Sequence, residues 1–309
     1  MTDRPIRNMA ASVRQRLMDL SRKRGEDFQL VLARYGVERL LYRLTRSIYA
    51  GQFVLKGAAL FQLWTGQPHR PTRDLDLLGQ GDPSTDRLRH IFQDICGLAV
   101  DDDGLTYLVD SIQAEQIKED DVYQGIRLHI DTRLGSARIP LQIDVGFGDA
   151  ITPGPQSVTY PTLLDMPAPQ LQAYPRETVV AEKFQAMVQL GMANSRMKDF
   201  YDIWTLANAF EFDGPPLCAA IRATFERRQT ALPSASPLAL TAEFGADRTK
   251  ATQWIAFLRK GRLTDSPPRL EEVTALLESF LMPPTQSLAL GEAWNRVWKP
   301  EESAWIVNR

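Results

Sequence analysis

The chain predicts an α+β fold: a mixed β-sheet with flanking helices, followed by a mostly helical C-terminal domain. Three observations carry that expectation. Ile126, Leu128 and Ile130 alternate with polar residues, as strands with one buried face do. Ile139 to Val145, in I-P-L-Q-I-D-V, reads as the next strand. Beyond Pro175 apolar residues recur at helical spacing instead. Between the two regions the composition changes, with six prolines from Thr152 to Pro175. That stretch reads as an extended connector, stiffened by a fixed φ at each proline.

In chain order, Asp3 to Ala50 reads as helices, with Val13, Leu17, Leu20, Phe28, Leu30, Val31 and Leu32 on apolar stripes. Val37 to Ser47 carries Leu40, Leu41 and Leu44 among Arg39, Arg43 and Arg46. That basic set reads as a solvated helix face, with an RNA-facing surface as the alternative. Phe53 to Leu55 is a short strand running into Lys56-Gly57. Ala58 to Trp64 has helix-like spacing, and a turn at Gly66 to Pro68 leads on to Asp74-Leu75-Asp76. Arg87 to Cys96 is a helix with Leu88, Ile91, Phe92 and Ile95 on one face. Strands follow at Thr106 to Val109, Ile112 to Ile117, Tyr123 to Leu134 and Ile139 to Val145. Helices are expected at Glu177 to Leu190, Lys198 to Phe210, Ala219 to Arg228, Thr249 to Gly261 and Leu270 to Leu281. The expected domains are residues 1–165, helical over 1–50 with a core at 51–165, and residues 166–309, a helical domain that completes the site.

Bulk properties exclude several classes. A net charge of −2 over 309 residues gives no global field for nucleic acid, so any such contact needs a local basic patch. The first residues lack the apolar core of a secretory leader, and no apolar run has the length of a membrane span. The expected location is the cytoplasm, with no membrane partner. Cys96 and Cys218 belong to no Cys-x-x-Cys pair and read as lone buried thiols.

The chemistry concentrates in carboxylates and lysines. Asp74 and Asp76 at i and i+2 on a strand share a face, beside the apolar Leu75, Leu77 and Leu78. Two anions held side by side ask for a cation, and hard oxygen ligands select Mg²⁺, Mn²⁺ or Ca²⁺. Asp144, amid Ile143 and Val145, reads as a third metal ligand or a general base; the alternative is a buried Asp accepting backbone hydrogen bonds. Gly57 lets backbone N–H groups approach phosphate at the start of a helix, although an ordinary strand-to-helix turn has the same sequence. Lys183 lies on an apolar helix face with Phe184, Met187 and Val188, and either snorkels outward or reaches a buried anion such as a nucleotide phosphate. Asp199 and Asp202 share a helix face, as either a cap plus a surface ion pair or part of a site.

Taken together, these residues resemble the AbiEii/MenT-like nucleotidyltransferase toxins, a branch of the DNA polymerase β-type nucleotidyltransferase superfamily. The resemblance spans roughly Leu20 to Phe280. It rests on Lys56-Gly57-Ala58, Arg70-Pro71-Thr72-Arg73-Asp74-Leu75-Asp76, the segment from Ile143 to Asp149, Tyr160 to Asp165, Glu177 to Lys183, and Lys198-Asp199-Phe200-Tyr201-Asp202. The family commonly carries Gly or Ser where Ala58 stands, and Ala has no hydroxyl to offer a triphosphate.

The resemblance implies a nucleotidyltransferase-type sheet and a metal-dependent transfer of NMP from an NTP, with Mg²⁺ or Mn²⁺ held by Asp74, Asp76 and Asp144. Asp144 would complete the metal site or take the acceptor's proton. Lys183 would contact the triphosphate, Asp199 would orient Lys183 or the acceptor, and Asp202 would support the same helix face. The implied nucleotide-binding set is Lys56, Gly57, Ala58, Arg70, Thr72, Lys183 and Asp202, with Arg73 a further phosphate contact. The implied acceptor is RNA at the tRNA 3′ end, in a toxin–antitoxin or phage-defence setting with a cognate antitoxin. Basic residues that could track the RNA are Arg222, Arg227, Arg228, Arg259, Lys260 and Arg262. Transfer to a protein or small molecule, or a non-catalytic nucleotide- or partner-binding module, are the alternatives. Thr72 is placed so that its phosphorylation would add close to two negative charges beside the three carboxylates and eject nucleotide.

Overall fold

The structure, a computed structural model, describes residues 8–66, 69–72, 74–120, 123–263 and 269–307, without the side chains of residues 118–120, 123 and 124. Arg73, and Gln67 and Pro68 of the expected turn, lie outside the described residues. The chain forms two units. One comprises residues up to Gly148 together with Gln156–Ala173; the other comprises Asp149–Pro155 and the chain from Tyr174 onward.

The first unit opens with α1 (Met9–Arg24) and α2 (Phe28–Arg46). The Asp27 side chain accepts from the backbone N–H groups of Gln29 and Leu30 and caps α2, a contact worth roughly 0.5–2 kcal/mol. Strand β1 (Phe53–Lys56) leads through a turn into α3 (Ala59–Thr65), then β2 (Asp74–Gly79) and α4 (Thr85–Gly97). Strands β3 (Leu105–Tyr107), β4 (Gln113–Asp120), β5 (Tyr123–Leu134) and β6 (Ala137–Phe147) follow. Two further strands, β7 (Gln156–Thr159) and β8 (Gln170–Ala173), arise inside the proline-rich stretch.

The sheet is mixed, in the order β3-β5-β6-β2-β1-β8-β7, with β4 also on β5. β2 runs parallel to β6, and β1 runs antiparallel to β2 and parallel to β8. The stretch from Thr152 to Pro175 is therefore not only a connector: it contributes a hairpin that extends the sheet. Its prolines flank the strands and none lies inside β7 or β8, since proline cannot donate to the ladder. The same hairpin moves the unit boundary from the expected residue 165 to Ala173.

Strand alternation gives the sheet two chemically different faces. Ile139, Leu141, Ile143 and Val145 of β6, with Leu75 and Leu77 of β2, are buried. Helix α2 packs on this apolar face at Gly36, where an added Cβ would lie 3.0 Å from Leu141. Residues Asp74, Asp76, Gln142 and Asp144 take the alternate positions and share the opposite face.

Arg39 and Arg43 of α2 are buried, which corrects the expectation that they form a solvated or RNA-facing surface. Arg43 donates to both Asp103 oxygens, at 2.5 and 3.1 Å, and Arg39 donates to Asp103 and to the Pro167 carbonyl. Glu38, 1% exposed, accepts from the Leu163 backbone N–H at 2.7 Å. The helix spacing is right, but a helix with apolar residues on most sides buries whatever charges it carries, and those charges then find partners. Arg46 is exposed.

The second unit is mainly helical: α5 (Arg176–Leu190), α6 (Met197–Ala209), α7 (Gly214–Arg227), α8 (Ala242–Ala246), α9 (Arg248–Gly261) and α10 (Leu270–Ala289). Helix α10 runs past the expected end at Leu281 and contains Pro283 and Pro284. A small antiparallel sheet, β9 (Phe212–Asp213), β10 (Arg296–Lys299) and β11 (Ala304–Val307), joins them. It holds an aromatic core in which Trp298 Nε1 donates to the Ala207 carbonyl and Trp305 Nε1 to that of Phe280. Among the described residues no helix is long and apolar enough to cross a membrane. Cys96 is buried and Cys218 half-buried; burial pushes their thiols up to about 12 and about 11.

Candidate active site

Strand register assembles a row of charge across four strands. Lys56 of β1 pairs in register with Asp76 of β2, Asp76 with Asp144 of β6, and Asp144 with Arg127 of β5. Side chains in register point to the same face, so the row reads Lys⁺, Asp⁻, Asp⁻, Arg⁺. One step along, Asp74 lies in register with Gln142 and Gln142 with His129. Lys56 and Asp144 are both 8% exposed, Asp76 is half-buried and Asp74 is exposed. The carboxylate pair thus runs from the interior to solvent along β2.

Gly57 makes the close approach possible. Its φ is +75°, and a Cβ built there would lie 1.9 Å from Asp76 Oδ2. Both facts demand glycine: the left-handed backbone, and a carboxylate resting where a side chain would be. Ala58 follows as the N-cap of α3 without a side-chain cap. Ahead of β2, His69 stacks on Phe61 with ring centroids 3.9 Å apart, pinning the loop that carries Arg70 and Thr72. The Thr72 hydroxyl donates to the Asp74 carbonyl at 3.4 Å.

Asp144 is engaged. Arg127 donates through Nε to Oδ1 at 2.8 Å and through Nη2 to Oδ2 at 2.7 Å. With the Gln142 amide turned so that its oxygen faces the guanidinium, that oxygen also accepts from Arg127, at 3.0 and 3.2 Å. Hydrogen bonding to Asp144 raises the Arg127 pKa further above its ordinary value. Both Asp144 oxygens are thus taken by Arg127, and among the described residues no group of three or more Asp, Glu, His or Cys side chains that could hold a metal ion is found. Asp74 and Asp76, adjacent on one face, do fit as hard oxygen donors for a divalent ion. Sequence reasoning passed over Arg127. Its position in the alternation of β5, polar between Ile126 and Leu128, was the available signal.

In the second unit, Lys183 of α5 meets two carboxylates of α6. Its Nζ lies 2.7 Å from Asp199 Oδ1 and 2.8 Å from Asp202 Oδ2. Arg196 Nε lies 2.7 Å from Asp199 Oδ2. Both aspartates are fully buried, and the Lys183 side chain is 13% exposed. Burial alone would push the Asp199 carboxyl up, but Lys183 and Arg196 outweigh it and hold it below the ordinary carboxylate range. Asp199 and Asp202 are therefore neither a helix cap nor a surface pair.

Arg228 is turned inward, which removes it from the surface set expected for RNA. It donates to Gln185 at 2.8 Å and to Asp149 at 3.2 Å. Arg222, Arg227, Arg259, Lys260 and Arg262 are exposed.

A sequence model described as the nucleotidyl transferase AbiEii toxin of a type IV toxin–antitoxin system matches residues 39–276. Among solved structures, JHP933 from Helicobacter pylori is 15% identical over 82% of this chain and 89% of its own, with a TM-score of 0.45. A nucleotidyltransferase candidate from H. pylori is 16% identical over 82% of this chain and 92% of its own, with a TM-score of 0.43. No curated protein sequence matches. The family match covers most of the chain, both units included, and implies a nucleotide substrate and an antitoxin partner: the chain belongs to the AbiEii nucleotidyl transferase toxin family.

Proposed function

We propose that this nucleotidyltransferase moves NMP from an NTP to an RNA acceptor, the 3′ end of tRNA, and so acts as the toxin of a bacterial toxin–antitoxin or phage-defence system. The observation that carries the site assignment is the placement of Asp74 and Asp76 on one sheet face beside the left-handed turn at Gly57. Asp74 and Asp76 hold Mg²⁺ or Mn²⁺, with Asp144 the third candidate ligand or the base for the acceptor hydroxyl. The bound ion supplies charge neutralisation at the transferring phosphate. Lys56, with the backbone at Gly57 and Ala58, receives the nucleotide, and Arg70 and Thr72 lie on the loop leading to the pair. In the second unit Lys183 is the candidate for a phosphate contact, with Asp199 and Asp202 fixing its ammonium. In-line transfer of this kind depends on position and charge rather than on a covalent intermediate.

Support for RNA as acceptor comes from α9. Its sequence, RTKATQWIAFLRKG, has no acidic residue, and Arg248, Arg259 and Lys260 are exposed along it. On a chain of net charge −2 these cations, one at the start of the helix and two near its end, are candidate phosphate contacts. The test is incubation with each labelled NTP, Mg²⁺ and total RNA. Label in the tRNA band supports the reading. Label in protein, or in no macromolecule, contradicts it and favours the alternative acceptors or a non-catalytic nucleotide-binding module.

A further inference from the structure

We propose that, in the nucleotide-free site, Arg127 competes with the divalent cation for Asp144. The inference rests on the reading of Asp74 and Asp76 as the cation site. Its starting point is charge balance. In the row Lys56, Asp76, Asp144, Arg127 the two carboxylates are matched by two cations of the chain itself. The repulsion between Asp76 and Asp144 is thereby answered within the row by side chains of the chain itself.

The geometry at Asp144 is that of an occupied ligand. Both carboxylate oxygens accept from one guanidinium, at 2.8 and 2.7 Å, in a side-on pair. A cation approaching Asp144 from the Asp76 side meets the positive charge of Arg127 behind it. The pair is also asymmetric in exposure, with 12% for the Asp144 side chain and 32% for that of Arg127. A solvent-borne anion can therefore reach the guanidinium more readily than a solvent-borne cation can reach the carboxylate. Triphosphate is such an anion, and its planar bidentate recognition suits arginine.

Arg127 is on this account a positioning residue whose removal should strengthen cation binding. A purely structural role predicts the opposite, because loss of the pair would loosen β5 against β6. The probe is Mn²⁺ alone, titrated into the full chain without nucleotide and followed by electron paramagnetic resonance of the free ion. Arg127→Gln is expected to bind Mn²⁺ at least tenfold more tightly than the unaltered protein, because a unit charge a few ångströms from a divalent ion is removed. Arg127→Gln/Asp144→Asn is expected to return to the unaltered affinity. Arg127→Lys, which keeps the charge but loses the fork, is expected between the two and serves if Arg127→Gln does not fold. Equal or weaker binding in the folded Arg127 variants overturns the proposal, as does a gain that survives Asp144→Asn. If Asp76→Asn leaves Mn²⁺ binding unchanged, the reading of the Asp pair as the cation site fails, and the proposal falls with it. If Asp76→Asn removes binding while the Arg127 variants change nothing, only the proposal fails.

Discussion

Replacing Lys183 by Met should destabilise the protein as well as silence it. Asp199 and Asp202 are fully buried and both lie within 2.8 Å of Lys183 Nζ. Removing one partner of a buried ion pair leaves uncompensated charge and costs about 3–5 kcal/mol. Arg196 stays on Asp199, which places the expectation near the lower end, about 3 kcal/mol. For a domain of this size each kcal/mol lowers the melting temperature by roughly 2–4 °C, so a fall of about 6–12 °C is expected. Circular dichroism melts at pH 7, with urea unfolding for the free energy, measure it. Lys183→Met/Asp202→Leu should recover part of the loss, because it removes one of the buried carboxylates that Lys183 neutralises. A Lys183→Met protein melting within about 2 °C of the original would refute this, and would mean that the network contributes nothing to stability. The consequence for function is practical: lost activity in a Lys183 variant counts toward catalysis only when measured on the folded fraction.

Asp199 sits below its ordinary range when folded, so the unfolded chain binds more protons in acid. Its contribution is present above about pH 4 and lost as the pH falls further, and Asp199→Asn should flatten that acid limb in urea titrations. Glu38 behaves oppositely: burial, opposed by the Leu163 N–H and Arg39, raises its carboxyl to about 7. The folded protein then holds the extra proton between about pH 4.5 and 7 and pays for the charged form above that range; Glu38→Gln should stabilise the protein at pH 8 by on the order of 2–3 kcal/mol and be near neutral at pH 4. Gly57→Ala should abolish transfer and lower stability by at least about 1 kcal/mol, since its Cβ would lie 1.9 Å from Asp76 Oδ2; unaltered activity in that variant would contradict the turn's role.

Much of this was readable in the sequence because it depends on local periodicity. The alternation of Asp74, Leu75 and Asp76 is enough to put two carboxylates on one face, and I-P-L-Q-I-D-V does the same for Asp144. What stayed hidden depends on register. Arg127 reaches Asp144 because the β5–β6 hairpin turns at Leu134 and Ala137, with Gly135 in the left-handed region, and counting outward from that turn pairs the two residues. Nothing local to Arg127 announces its partner. The prolines stand in two different settings. Around β7 and β8 they mark strand ends, where their density reads as a connector, and in α10 Pro283 and Pro284 sit inside the helix. Arg39 and Arg43 were misplaced because the spacing of Leu40, Leu41 and Leu44 identifies a helix but not how much of its circumference is covered.

The central claim is that Asp74 and Asp76 form the catalytic cation site. The direct measurement is the Mg²⁺-dependent rate of NMP transfer by Asp76→Asn, compared with the unaltered chain at matched folded fraction. An ion that contributes several kcal/mol to the transition state predicts a fall of about a thousandfold or more. A rate within tenfold of the original, with the variant folded, would contradict the account.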